Sequence, residues 1–364
     1  MTELFIAAGG GGDPVGAALI HASLGGRADA VVLTYGWERL TVDPVPGPAA
    51  PHDFTGLDHD TLPVPLVTPA AEPVEPRGST LPRLAGRLPT KLALLDPYTG
   101  VEGLADQIGR TARAMGADHI SVVDMGGDIL AHGDEPTLAS PLLDALALAA
   151  CHLAGIHTTV HVAGPGLDGE IPEATLLTRV TGDGTALDPA IPGWAADILR
   201  WHPSEASALL AAAAAGLRGP CLTRQDAGPI PLTDRSGRVW DLPLAQALDH
   251  NRLAQGLLDT RPDTLAGAED VSLKLHGFSE YERERGRAVH RPSARDVIDD
   301  ETLVGELDGW LQAQSAGNPG ARYVSVRCAV ESLGYDWRLT EHVRDLLTRH
   351  RPGLDAFPLL SLTD

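Results

Sequence analysis

Residues 4–34, LFIAAGGGGDPVGAALIHASLGGRADAVVLT, carry the reading that decides the fold. Leu4–Ala8 is a short apolar run that ends in Gly9-Gly10-Gly11-Gly12-Asp13-Pro14. Val15–Leu24 reads as a helix, and Gly25-Gly26 breaks it before a second apolar run, Ala30–Thr34. The valines of that run and the glycine break before it mark a strand. Strand, glycine loop, helix, strand is a βαβ opening whose helix is short enough to be a crossover.

The same rhythm recurs downstream. Gly103–Met115 reads as a helix, His119–Val123 as a strand and His157–Val162 as the next strand. Between those strands lies Ser140–Ala154, a strongly apolar helix with Ser140-Pro141 as its N-cap and N1 pair. Alternation of this kind implies a parallel sheet covered on both faces. The expected class is α/β, a Rossmann-like doubly wound, mostly parallel sheet with a more helical C-terminal portion. Residues 41–90 interrupt the rhythm with prolines too frequent for a continuous helix, so they read as an excursion that wraps the core as a rim or lid.

Past residue 185 the pattern blurs. Pro203–Gly216, Leu242–Leu258, Asp263–Leu275, Glu301–Gln314 and Glu341–His350 read as helices, and Tyr323–Val326 as a strand. Asp234–Asp241 reads as a hairpin turning at Arg235-Ser236-Gly237. Charge rises after about residue 260. The expected organisation is therefore an α/β core over 1–260, including the excursion 41–90, and a C-terminal helical or α+β cap over 261–364.

Composition narrows the function. With 43% hydrophobic residues in 364, the chain can bury a substantial core, and wholesale disorder is excluded. The 28 Lys+Arg against 49 Asp+Glu give a formal charge of −21, which argues against a nucleic-acid partner. Cys151, Cys221 and Cys328 are sparse and widely spaced, as in a reducing compartment. The N-terminus has no basic leader, and the apolar run 145–154 is too short for a bilayer. The expectation is a cytoplasmic protein with a small-molecule substrate and no membrane or nucleic-acid partner; a homo-oligomer is compatible with the sequence.

Three loops share one design, an apolar strand running into glycines and an acid. They are Gly9–Asp13, Asp124-Met125-Gly126-Gly127-Asp128, and Gly164-Pro165-Gly166-Leu167-Asp168-Gly169-Glu170. In an open parallel sheet such loops leave from the carboxyl ends of the strands. They meet over one crevice if the winding reverses between the first strand and the His119–Val123 strand. The candidate ligand-binding glycines are Gly9, Gly10, Gly11, Gly12, Gly126, Gly127, Gly164 and Gly166. The candidate catalytic carboxylates are Asp13, Asp124, Asp128, Asp168 and Glu170. Asp13, Asp124 and Asp128 are the expected ligands of Mg²⁺, because carboxylate oxygens suit a hard cation.

The first loop does not fit GxGxxG, since Asp13 stands where the middle glycine belongs, and it lacks the Lys-Ser/Thr pair of a Walker A loop. Gly10, Gly11 and Asp13 resemble the pyrophosphate loop of the ATP pyrophosphatase superfamily, with Gly9 and Pro14 in place of its two serines. Across the chain, Ala8–Asp13, Val123-Asp124-x-Gly126-Gly127-Asp128, Ser140-Pro141-x-x-Asp144-Ala145 and Gly164-Pro165-Gly166-x-Asp168-Gly169-Glu170 resemble a prokaryotic protein family of unknown function. That resemblance implies a shared fold and ligand site, without an assigned reaction.

Other residues read more plainly. Ser140 and Asp144, one turn apart, read as helix caps. His161 reads as a core or strand-end histidine, and Lys91 as a surface lysine. His276–Arg291 is the one basic concentration, read as a solvated helix, with an arginine clamp for an anion as the functional alternative. No nucleophile elbow or His-Glu-x-x-His helix occurs. The leading reading is an enzyme using Mg²⁺ and a nucleotide, ATP, on a phosphate-bearing molecule, as a transferase or ligase. The alternatives are a carboxylate-based hydrolase of an N-glycosidic bond, and a non-catalytic ligand-binding regulator.

Overall fold

The computed structural model describes residues 3–26, 30–224, 228–291, 293–295 and 299–362. Its main sheet has eight strands: β1 (Leu4–Ala7), β2 (Val31–Tyr35), β3 (Leu66–Val67), β4 (Lys91–Leu95), β5 (His119–Met125), β6 (His157–Ala163), β7 (Thr185–Ala186) and β8 (Arg238–Pro243). Their lateral order is β3-β4-β2-β1-β5-β6-β8-β7. The central five, β4-β2-β1-β5-β6, are parallel. β3, β8 and β7 join the edges through antiparallel pairs. The chain winds outward from β1 through β2 to β4, then crosses back to β5 and winds the other way. The reversal lies between β1 and β5, which opens a crevice beyond their carboxyl ends.

Alternation along β1 shows how the sheet is held. Leu4 and Ile6 enter one apolar cluster, and Phe5 and Ala7 enter the other. Four helices cover the sheet near the site: α1 (Asp13–Ser23), α2 (Gly100–Met115), α3 (Leu142–Ala154) and α4 (Glu205–Ala214). α2 and α3 pack on the first face, joined by Arg252–Thr260 and Leu265–His276. α1 and α4 pack on the second face. Apart from Asp144, residues 142–151 of α3 are apolar, and all ten are buried, as a helix apolar all round must be.

Several local expectations are corrected. Ile230–Leu232 and Arg238–Pro243 do not form a hairpin. The first pairs with Gly219–Leu222 in a separate five-stranded sheet, and the second pairs with β6 in the main sheet. The apolar side of Arg238–Pro243 is buried more completely against β6 than a two-stranded ribbon could manage. Leu242–Leu258 is two helices, Leu244–His250 and Arg252–Thr260, parted at Asn251, whose side chain caps the second through Ala254 N–H at 2.8 Å. The excursion 41–90 is ordered by its own polar contacts. Arg77 pairs with Asp43 at 2.7 Å and Asp53 at 3.2 Å, and the excursion contributes β3.

Leu265, Ala268 and Val271 belong to the main-sheet core, and Phe278 and Tyr281 pack against it. A third cluster is built from Leu222, Leu303, Leu307, Val324, Leu346 and their neighbours. Leu222 of this third cluster precedes residue 260 and Leu359 belongs to the second cluster, so the packing does not divide the chain at one point. The helices after 260 are charged outside and apolar inside, so composition registers their outer faces. Among the described residues no helix is long and apolar enough to cross a membrane. The three cysteines are unpaired and buried.

Candidate active site

β1 continues its pairing with β5 through Ala8 N–H to Val123 O at 2.9 Å, then gives way to the four glycines. Gly10 and Gly11 take φ of 74° and 54°, consecutive left-handed residues that side chains disfavour. This turn brings Gly9 N–H to within 2.7 Å of Asp13 Oδ2 and aims the N-terminus of α1 into the crevice. α4 arrives from the other side. Ser204 caps it through Ser207 N–H at 3.3 Å, and Ser207 Oγ donates to Gly12 O at 3.0 Å. Two helix N-termini, both favourable to anions, therefore border one cavity of about 630 Å³.

The floor of the cavity is acidic. One carboxylate oxygen from each of Asp13, Asp124 and Asp144 lies within 4.8 Å of the others. Asp13 is on the cavity wall, and Asp124 and Asp144 are buried beneath it, each 1% exposed. Burial, and then the Asp124 charge, hold the Asp13 carboxyl well above the ordinary range. Burial pushes Asp124 up to about 7, against hydrogen bonds from Asp128 and from the Gly127 and Ile129 amides. Asp144 is raised by burial, then by Asp124 and Asp13. Asp124 Oδ2 and Asp144 Oδ1 are shielded from solvent and have no hydrogen-bond partner among the described residues. Two charges about 5 Å apart repel by ~3 kcal/mol at an effective dielectric of 20, so this trio takes up protons or a cation. An oxygen-only set with two orphaned oxygens fits Mg²⁺ or Ca²⁺.

Asp144 is the residue that sequence reading misplaced. Neither it nor Ser140 caps α3: the N-cap is Pro141, and Ser140 Oγ donates to Glu170. The first α3 amide, Leu142 N–H, is instead satisfied by Glu280 at 3.1 Å. The available signal was a lone carboxylate within residues 142–151, a stretch otherwise apolar on every face.

The third loop is locked to the second. Asp168 Oδ1 accepts Glu170 N–H at 3.0 Å, and Glu170 accepts the Ala139 and Ser140 amides at 2.8 and 2.9 Å. Glu170 is thus occupied in holding the segment before α3. Asp128 lies beneath the floor, hydrogen-bonded to Asp124 and raised chiefly by burial. Of the candidate glycines, only Gly9–Gly12 line the cavity. Gly126, Gly127, Gly164 and Gly166 are instead packed against Asp168, Leu176, Leu167 and Glu173, so their missing side chains make room for the protein itself. At Gly126, with φ of 122°, an ideal Cβ would lie 2.3 Å from Asp168 Cγ. Gly126→Ala is expected to cost roughly 2–4 kcal/mol by denaturant unfolding, from backbone strain and overpacking together. A change below 1 kcal/mol would refute this packing role.

Helix α5 (Glu280–Val289) forms another part of the cavity wall. Glu284 accepts Trp37 Nε1–H at 2.6 Å and Gly47 N–H at 2.7 Å, tying α5 to the excursion. Glu280 pairs with Arg39 at 2.6 Å, and Arg39 lies 4.1 Å over the Trp37 ring with φ of 57°. Arg283 and Arg287, one turn apart, border the cavity without a carboxylate partner among the described residues. The basic stretch is therefore only half a solvated face: one side of α5 is turned to the cavity.

Residues 4–288 match the model of the family described as protein of unknown function, DUF1152. The chain belongs to that family. No curated protein and no solved structure matches it. The matched DUF1152 region contains the whole main sheet, every floor carboxylate and all of α5 but its last residue, while Arg327, also on the cavity lining, lies beyond it.

Two further groups line the cavity of this DUF1152 protein. Glu38 accepts the Thr80 amide at 2.8 Å together with the Ser79 and Thr80 hydroxyls, and burial raises it to about 7. Burial, then Arg327, hold His202 down to about 3, so its imidazole is neutral at pH 7. His161 and Lys91 take no part. His161 pairs with Asp241 at 2.7 Å, and Lys91 is exposed.

Proposed function

We propose that this chain is a Mg²⁺-dependent enzyme acting on a small phosphate-bearing molecule, with a nucleotide such as ATP as the most concrete substrate. The observation that carries the reading is the pairing of opposites across one cavity. A buried oxygen-only trio, Asp13, Asp124 and Asp144, lies at a cavity also bordered by Arg283 and Arg287, neither of which has a carboxylate partner among the described residues. A ligand that satisfies both must be anionic and able to share a cation, which describes a phosphate.

Asp13, Asp124 and Asp144 are the residues that would hold the ion, which when bound offsets charge developing on transferring oxygens. The chain supplies the rest. The Gly11 and Gly12 amides donate to no acceptor among the described residues and suit a phosphate at the start of α1. Arg283 and Arg287 clamp the distal oxygens. Burial holds Glu280, like Glu38, near 7, where a carboxyl exchanges protons readily at neutral pH. A volume of about 630 Å³ is ordinary for a nucleotide-sized ligand.

ATP with Mg²⁺ is expected to raise Tm by several degrees in differential scanning fluorimetry, since a ligand at a hundred times its Kd contributes about 2.7 kcal/mol. Arg283→Ala/Arg287→Ala is expected to weaken binding roughly 10–100-fold, with a small drop in the unliganded Tm from the lost Arg283 contacts to Leu138 O and the Phe278 ring. A shift from adenosine as large as that from ATP, unaffected by Mg²⁺ or by the arginines, would reject this reading for the N-glycosidic hydrolase.

A further inference from the structure

The segment His132-Gly133-Asp134-Glu135 lies outside the cavity, on the helical layer of the first face, beside Leu244–His250 and the end of Leu265–His276. His132 Nε2 and His250 Nδ1 are 3.3 Å apart, with ring planes at 19°. Two imidazole nitrogens this close cannot both carry a proton; they share either one proton or one cation. Two nitrogens bound to a tetrahedral ion at about 2.05 Å each would be ~3.3 Å apart. A ring nitrogen of His132 and carboxylate oxygens of Asp134 and Glu135 also lie within 4.8 Å of one another.

Glu135 is already occupied. It pairs with Arg179 at 2.6 Å and accepts the His132 and Gly133 amides, each at 2.8 Å, which shapes the turn that presents His132. Asp134 is largely exposed, and its contact is Arg252 at 3.8 Å, so its carboxylate is free to swing. The His276 ring lies against Gly133, where an ideal Cβ would be 2.1 Å from Nε2. Both His276 nitrogens are shielded from solvent and lack partners among the described residues. Shielded imidazole nitrogens left unpaired are costly, and here they offer a further nitrogen donor beside Gly133.

We propose that His132, His250 and Asp134 form a second metal site, for a borderline transition ion of the zinc class, with His276 as the neighbouring donor. Nitrogen donors distinguish it from the oxygen-only floor, because imidazole selects zinc, cobalt, nickel or copper over magnesium. The ion ties the 131–135 segment to Leu244–His250. The same segment runs on to Ala139 and Ser140, which hold Glu170, so the site braces one wall of the cavity from behind.

The test uses full-length protein stripped with a chelator, then titrated with Co²⁺ and Zn²⁺ in millimolar Mg²⁺. One equivalent of Co²⁺ should give the intense visible d–d absorption of a tetrahedral site, and Zn²⁺ should displace it. X-ray absorption at the zinc edge should show at least two imidazoles. His132→Gln and His250→Gln should each weaken Zn²⁺ binding by about 100-fold or more, while Asp13→Asn leaves it unchanged. Binding that survives both histidine variants, or that Asp13→Asn abolishes, overturns the site. Should either histidine variant fail to fold, a zinc edge of the parent protein without imidazole scattering, or no stoichiometric binding at all, overturns it equally.

Discussion

Asp13→Asn is expected to fold as well as the parent chain, or better at pH 8, while losing Mg²⁺ binding and metal-dependent turnover. Asn keeps an oxygen that can accept Gly9 N–H, so the turn into α1 survives. It removes one of three carboxylates that burial and mutual repulsion hold in a raised, proton-seeking state. In the absence of metal that removal relieves strain. With metal it deletes a charged ligand, and turnover of ATP, followed as phosphate release, should fall by roughly 10²–10⁴-fold. Asp144→Asn should behave alike, although Asp144 lies below the cavity wall. Two measurements decide it: Tm with and without Mg²⁺, and phosphate release. A variant with parental Mg²⁺ response and parental turnover would remove the trio from the site.

The Mg²⁺-induced rise in Tm is expected to be large at pH 8 and to vanish near pH 5. Asp124 has an ordinary value of 3.8 and is pushed up to about 7 by burial. A carboxyl raised on folding binds its proton more tightly when folded. Its contribution to stability is complete below about pH 4 and is lost as pH rises through about 7. One such group is worth at most ~4 kcal/mol, at 1.36 kcal/mol per pH unit. A cation replaces the lost protons, so its increment grows over the same interval. Buried histidines act in the opposite sense. His202, held at about 3 by burial, lowers stability as pH falls below its ordinary 6.5. Absolute Tm is therefore a balance, and the difference between Mg²⁺ and EDTA samples isolates the carboxylates. An increment independent of pH from 5 to 8 would contradict the raised values and the cluster that causes them.

Much of the fold is legible in the chain because its signals are local. The apolar run Leu4–Ala8, the four glycines after it and the valines near 31 specify strand, turn and strand through neighbours a few residues apart. The misreadings have a common cause. Asp234–Asp241 has the composition of a hairpin, but its two strands found better partners in different sheets. Ser140-Pro141 has the composition of a cap, but Glu170, thirty residues on, took the serine. Gly126, Gly164 and Gly166 have the composition of a ligand loop, but the loops pack on each other.

By itself, the sequence determined the βαβ opening, the parallel α/β class and the positions of the loops that carry Asp13, Asp124 and Asp168. Periodicity, glycine and proline act within a few residues, so no distant partner is needed to read them. Only the tertiary structure decided which carboxylates converge. Winding outward from β1 in both directions brings residue 13 beside residue 124, and α3, packed against the sheet, delivers residue 144. It also placed Arg283 and Arg287 on the border of the same cavity, since Glu284 must reach Trp37 and Gly47 on a distant segment. Burial, which raises these carboxyls and makes them seek a cation, exists only once those distant segments have closed over the crevice.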